Sequence, residues 1–308
     1  MRARHGRRRA GIALLAAIAL AAAAAPWLAT SGVSTQHPDL PLAPPSLARL
    51  ELTQRLPPTY RVVEGRRELA WIDGGRLVQS ADPASPLLLL GSDSLGRDQW
   101  SRLLIGARLS LGLAAAGLAG ALTIGALVGL VAGQRGGWID TALMRAADLF
   151  IAWPALYVVL VLRASLPLSL SLRTTFLLMA GVLALSGWPI VARAVRAVTA
   201  SERTREYVTA AAAAGASPAW ILRRHLLPAA IPVMVTKALL LIPSFILAEA
   251  TLSFIGLGFA EPTPSWGTML REASSAFVLR QAPWLLSPAA AIALVTLAVN
   301  LIAEGREG

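Results

Sequence analysis

The chain has 308 residues, 56% of them hydrophobic and 15% charged, with a mean hydropathy of +0.61. Soluble domains carry about 25% charged residues, so this chain lacks the polar surface to cover a globule in water, and an ordinary cytosolic enzyme is excluded. The net charge is +11, from 28 basic and 17 acidic residues, but the arginines flank apolar runs, which reads as control of membrane topology and not as nucleic-acid binding.

A helix rises about 1.5 Å per residue, so crossing about 30 Å of hydrocarbon takes about 20 apolar residues. Six segments qualify. The first covers residues 10–29, behind the basic block Arg7, Arg8 and Arg9 in a tail of residues 1–9. It reads as an uncleaved span; the other reading is a signal peptide cut near residues 21–25. The second, residues 109–134, has no charge and carries Gly112, Gly117, Gly120, Gly125, Gly129 and Gly133. Such glycines read either as close helix packing or as the lining of a pathway. The third, residues 141–162, holds Arg145 and Asp148 at i and i+3, where a local ion pair is expected. The fourth covers residues 174–192. The fifth, residues 229–257, contains Lys237 and Glu249, and the sixth, residues 284–303, is uncharged.

The side with more arginine in short loops is cytoplasmic. The N-terminal tail has five arginines and the stretch between spans four and five has six: Arg193, Arg196, Arg203, Arg205, Arg223 and Arg224. Both termini are therefore expected inside, and residues 30–98 outside. That outer segment is proline-rich and nearly charge-balanced, with seven arginines against eight acids. Strand-like pieces at residues 60–63 and 68–72, and a turn at Asp73, Gly74 and Gly75, suggest a small external subdomain with short strands.

Several chemistries are missing. There is no cysteine, so disulfides and thiolate sites are excluded. His5, His37 and His225 are too scattered for a metal triad, and no Ser/His/Asp constellation is visible. A phosphate-cradling loop would end in Gly-Lys-Ser/Thr, yet the single lysine, Lys237, follows Thr236 inside an apolar span. The chain is not expected to hydrolyse ATP or to be an enzyme. An ion-coupled secondary carrier would use ionisable groups in the bilayer. Lys237 and Glu249 are the candidates for that alternative, but twelve residues, or about 18 Å of helix, separate them.

The stretch between spans four and five, residues 193–228, is the most informative. An alanine run follows Glu206, Tyr207 and Thr209 and favours helix. Gly215 suits a left-handed C-terminal cap. Ser217 can cap a second helix with Pro218 at its first position. A helix of little bulk is a knob for another protein's groove. The stretch resembles the EAA motif of ABC importer permeases, matched here by Ala210, Ala211, Gly215, Leu226, Leu227 and Pro228, with Ala216 and Ser217 between. Thr209 stands where the motif has glutamate, and Glu206 with Tyr207 matches the subgroup that handles peptides.

Three further blocks sharpen the resemblance to the dipeptide/oligopeptide/nickel permeases. They are residues 91–98 with Ser101, Arg102, Leu103 and residues 106–111; residues 249–258 with 264–270; and the last span, with Ala282, Pro283, Trp284 and Asn300. The resemblance covers residues 91–304. It implies an all-α membrane fold of the type I ABC importer kind, with six transmembrane helices, a permease domain over residues 99–304 and an external subdomain. It implies a bacterial inner-membrane subunit of the second permease type. Its partners would be another permease, two ATPases that hold ATP and magnesium, and an extracytoplasmic binding protein. The loop at Glu206 to Pro228 would dock into the ATPase. Glu249, Ser253, Phe254, Gly256 and Gly258 would lie at the outer gate. No cofactor or metal is implied on this chain. Trp266 and Trp284 read as interfacial anchors or as part of the binding-protein surface.

Overall fold

The computed structural model describes residues 2–45, 49–53, 59–64, 67–73, 76–80, 86–152, 157, 161 and 170–305. The chain divides into two compact units, Met1–Gly112 with Ile246–Gly305, and Leu113–Phe245.

In the first unit, helix α1 (Arg2–Ala23) takes up the basic tail, and α2 (Ala25–Leu28) follows a break at Ala24. Helix α1 packs on the last helix, α11 (Ser287–Glu304). A Cβ at Gly11 would lie 2.6 Å from the Ala298 carbonyl oxygen and 2.9 Å from Ile302 Cγ1, so only glycine permits this approach. Strands β1 (Arg49–Thr53), β2 (Thr59–Glu64), β3 (Arg67–Asp73) and β4 (Arg76–Ser80) form an antiparallel sheet in sequence order. Val62 faces Ala70, and Asp73 faces Arg76. The expected turn residues Gly74 and Gly75 lie outside the described residues. Beyond this sheet and one isolated bridge between Ser92 and Asp98, the described regular structure is helical.

Helix α3 (Gln99–Arg135) starts ten residues before the expected second span. Asp98 caps it: its carboxylate accepts from the amides of Trp100 at 3.2 Å and Ser101 at 3.1 Å. The charge at Arg108 places the expected boundary later, but the helix extends upstream of it, where Arg102 is buried and paired with Glu261. After Phe245, α8 (Leu227–Phe254) continues in this unit, followed by α9 (Trp266–Glu272) and α10 (Ala276–Gln281).

The second unit holds the rest of α3 with α4 (Gly137–Ala152), α5 (Leu172–Glu202), α6 (Glu206–Ala213) and α7 (Pro218–Ile221). A π turn, Leu222–Leu226, leads from α7 into α8. The glycines of α3 form a seam against α5. A Cβ at Gly117, Gly120 or Gly125 would lie 2.8 Å from Leu183 Cβ, 2.7 Å from Ala184 Cβ and 2.5 Å from Val191 Cβ, respectively. At Gly129 it would meet the Ala192 carbonyl oxygen at 2.6 Å, and at Gly133 Thr199 Cβ at 2.6 Å. These five glycines are packing positions. Of the six glycines expected in this span, only Gly112 has open space around it.

Helix α5 runs ten residues past the expected end of the fourth span because its arginines find partners on α4. Arg196 Nε donates to Asp140 Oδ1 at 2.9 Å. The hydrogen bond from Arg196 holds the Asp140 carboxyl below the usual carboxylate range. Arg193 donates to Asp148. The pair expected between Arg145 and Asp148 is not formed among the described residues; Asp148 turns to α5 instead. The second half of the expected third span lies mostly outside the described residues.

Among the described residues, four helical stretches are long and apolar enough to cross a membrane: Gln99–Arg135, Leu172–Glu202, Pro218–Phe254 and Pro283–Glu304. Every 18-residue window of α1 contains Arg7, Arg8 and Arg9, which keeps it out of that set. Large apolar side chains stand exposed along the spans, such as Leu127 at 61% and Leu240 at 57%, as suits contact with lipid rather than water.

Candidate functional site

The loop between α5 and α8 folds as two short helices with a sharp bend. In α6 only Val208 is buried. Glu206, Ala210, Ala213 and Ala214 are exposed and recur at helical spacing, so beyond Glu206 this outward face carries only methyl groups. Ala211 is half-buried. Thr209 is exposed, and its hydroxyl donates to the Glu206 carbonyl at 2.9 Å. The Tyr207 hydroxyl donates to the Glu202 carboxylate, which raises the phenol above its ordinary pKa.

The bend is a Schellman motif. Gly215 sits at φ +87°, its amide donates to the Ala212 carbonyl at 3.0 Å, and the Ala216 amide donates to the Ala211 carbonyl at 3.0 Å. The Ser217 hydroxyl then accepts from the Trp220 amide at 3.3 Å, with Pro218 at the first helical position. Of the residues that end the motif, Leu226 is fully buried, Leu227 half-buried and Pro228 exposed.

Residues that sequence reasoning passed over hold this loop in place. The His225 ring lies 5.3 Å from Tyr207 and 5.2 Å from Trp220, tying α6 to α7. Gln134 Nε2 donates to the Pro218 carbonyl at 2.8 Å, and Arg203 Nη1 donates to the Gln134 carbonyl at 2.9 Å. The end of α3 is thus bonded to both shoulders of the loop. Between them lies a groove of about 670 Å³, lined by Gln134, Arg203, Thr209, Ala212 and Leu222 among others. A polar residue closing an apolar run, as Gln134 does, was the available signal.

The expected gate residues divide. Glu249 and Ser253 are fully buried. Glu249 accepts from the hydroxyls of Ser110 at 2.7 Å and Ser253 at 2.8 Å. Those hydroxyls in turn accept from the amides of Trp266 at 3.2 Å and Phe259 at 3.3 Å. The carboxylate therefore gathers α3, α8, α9 and the turn between them. Phe254 is exposed at 40%. Gly256 ends α8 as Gly215 ends α6: φ is +86°, its amide donates to the Ser253 carbonyl at 3.1 Å, and the Leu257 amide donates to the Leu252 carbonyl at 2.8 Å. A Cβ at Gly258 would strike Ser253 Oγ. These residues knit the end of α8 together.

Trp266 is not an interfacial anchor. It is 1% exposed, and its indole donates to the Leu103 carbonyl at 3.2 Å. The Trp284 indole donates to the Ser92 carbonyl at 2.9 Å.

A buried ionic cluster stands beside this region. Arg97 donates to Asp93 and to Glu261, each at 2.6 Å, and Arg102 donates to Glu261 at 3.1 Å. Asp93, Arg97 and Arg102 are nearly inaccessible, while the Glu261 side chain is half-exposed. Burial alone would lower the Arg97 pKa, but Asp93 and Glu261 together raise it above its ordinary value. With two charges of each sign, the four groups neutralise one another, as buried charges must.

The fold and the loop define a class: a multi-pass membrane protein with a short, exposed, alanine-faced helix between two of its spans. Residues 125–305 match the family of binding-protein-dependent transport system inner membrane components. The chain is 33% identical to the di/tripeptide transport system permease protein DppC of Pseudomonas aeruginosa, over 96% of this chain and 84% of that one. It is 34% identical to the oligopeptide transport system permease protein OppC of Bacillus subtilis, over 74% and 73%. It is 39% identical to a putative peptide permease protein of Brucella ovis, over 70% of each. The chain belongs to the family of binding-protein-dependent transport system inner membrane components, the permease subunits of ABC importers.

Proposed function

We propose that this chain forms one half of the membrane pathway of an ATP-driven importer for peptides or peptide-like solutes, nickel chelates included. The observation that carries this reading is the α6–α7 loop, an exposed alanine face ending in a Schellman bend and bonded to the end of α3. Two ATPase subunits, holding ATP and magnesium, would grip Glu206, Tyr207, Ala210 and the bend at Gly215. A second permease would complete the pathway, and a binding protein would deliver solute from outside. Six spans, with both termini in the cytoplasm, suit the arginine distribution. The names of the relatives support peptides as the solute class.

Closure of the ATPase pair would push α6. Through Pro218, Gln134 and Arg203 the push would reach α3, the second span, and bias the inward- and outward-facing states. The experiment is a mild-detergent pull-down followed by uptake into proteoliposomes. Recovery of a second permease and ATPases, with uptake that needs ATP, is the expected result. A lone chain that transports without ATP would overturn the reading.

A further inference from the structure

Six arginines lie between the fourth and fifth spans, and four are satisfied within the chain. Arg193 pairs with Asp148, Arg196 with Asp140, Arg205 with Glu202 at 3.8 Å, and Arg203 donates to the Gln134 carbonyl. Arg223 and Arg224 are the other two. Both are exposed, and neither has an ion-pair partner among the described residues. They line one hollow of about 570 Å³ together with Ser217, Ala219 and Trp220. Among the described residues no acidic side chain lines it, and Trp220 is a large aromatic left 48% exposed.

The depth of this hollow is set by chain position. Helix α8 starts at Leu227 and runs uncharged to Thr236. Arg223 and Arg224 precede it by four and three residues, about 5 to 6 Å along a helix. The headgroup layer of a bilayer is about 5 to 8 Å thick on each side of the hydrocarbon. Each basic side chain at this depth attracts anionic phosphate, whether it is arginine or lysine, and an indole at this depth suits the aromatic belt.

We propose that the hollow formed by Ser217, Trp220, Arg223 and Arg224 binds the phosphate headgroup of an anionic phospholipid, in the leaflet where the α6–α7 loop emerges. The docking face of α6 has a different chemistry, alanines and Glu206, so the two surfaces serve different partners. The site rests only on the membrane reading of the chain and holds whatever the transported solute is. A lipid held here would fix the height of α7, and with it the bend at Gly215, relative to the bilayer.

The test uses the full chain with its co-purifying subunits in nanodiscs of phosphatidylcholine with or without phosphatidylglycerol. Retained lipid is counted by native mass spectrometry. Two arginines at the surface predict a preference of about 30-fold for the anionic lipid. The R223Q/R224Q variant is expected to lose it. R223K/R224K is expected to keep most of it, because the charge remains, and R8Q/R9Q is expected to keep all of it. Undiminished preference in R223Q/R224Q would overturn the proposal. So would equal loss in R223K/R224K, which would mean that the turn and not its charge is read. Displacement of the lipid by millimolar inorganic phosphate would assign the hollow to free phosphate. Loss of the ATPase subunits from R223Q/R224Q with lipid unchanged would make it a protein contact.

Discussion

The bend at Gly215 allows a quantitative test, because its strain and its packing separate cleanly. At φ +87° an L-residue costs about 1–2 kcal/mol. A Cβ at Gly215 would meet nothing within 4 Å, so there is no steric contribution. Gly215→Ala should therefore lower the population of the bent loop by about 5- to 30-fold, and ATPase affinity with it. Gly215→Asn should cost less, since asparagine tolerates this region. Gly215→Pro cannot reach positive φ at all, and it also loses the amide bond to Ala212, about 1 kcal/mol more. Transport is expected in the order wild type, Asn, Ala, Pro, with proline abolishing it while the chain stays in the membrane. The assays are ATP-driven uptake into proteoliposomes and recovery of ATPase subunits on the purified chain. Normal uptake by Gly215→Pro would refute the argument. Equal defects in Ala and Pro would also refute it, because that would require a contact where the structure has open space.

Ala210→Arg should abolish ATPase recovery by adding bulk to the exposed face of α6 without touching the bend. Ala211→Arg should be worse in melting assays, because Ala211 is half-buried. Glu249→Ala leaves the Ser110 and Ser253 hydroxyls without their acceptor and should destabilise the chain by about 1–3 kcal/mol; Glu249→Gln should fall between, read as melting temperature in detergent. Gly129→Val should overpack the seam against Ala192 and Val195 and cost about 1–3 kcal/mol by the same assay. Burial raises the Asp98 carboxyl above its ordinary range, partly offset by hydrogen bonds from Ser101 and Thr30. An acid whose folded pKa is raised contributes stability at low pH, and that contribution is lost as pH rises from the ordinary value of about 4 through the raised one. Asp98→Asn should flatten that part of a melting-versus-pH series.

Length and charge read out the apolar helices because lipid demands long uncharged runs, and a run is a local property. The bend was equally legible: glycine, serine and proline at residues 215, 217 and 218 each have one strong local role. What failed was everything that depends on a distant partner. Arg108 and Arg193 looked like span boundaries, yet the helices run through both, and the arginines beyond them, Arg102 and Arg196, are paired with Glu261 and Asp140. Asp148 was assigned to Arg145 on helical spacing, but Arg193 lies on a different helix and wins it. Trp266 looked interfacial because its neighbours in sequence are loop residues, while its neighbours in space are Ser110 and Leu103. His225 carried no visible role until Tyr207 and Trp220 were found on either side of it.

The glycine seam has a mechanical consequence. Sliding α3 past α5 by a single residue, about 1.5 Å, would drive side chains such as Val191 and Thr199 into backbone that now clears them only for want of a Cβ. The pair has one permitted register and resists shear. A push arriving at Gln134, as the proposed coupling requires, would then be carried by two helices acting as a single stiff lever. Compliance falls to α8, where Pro232 and Pro243 interrupt the backbone ladder and give the helix places to flex.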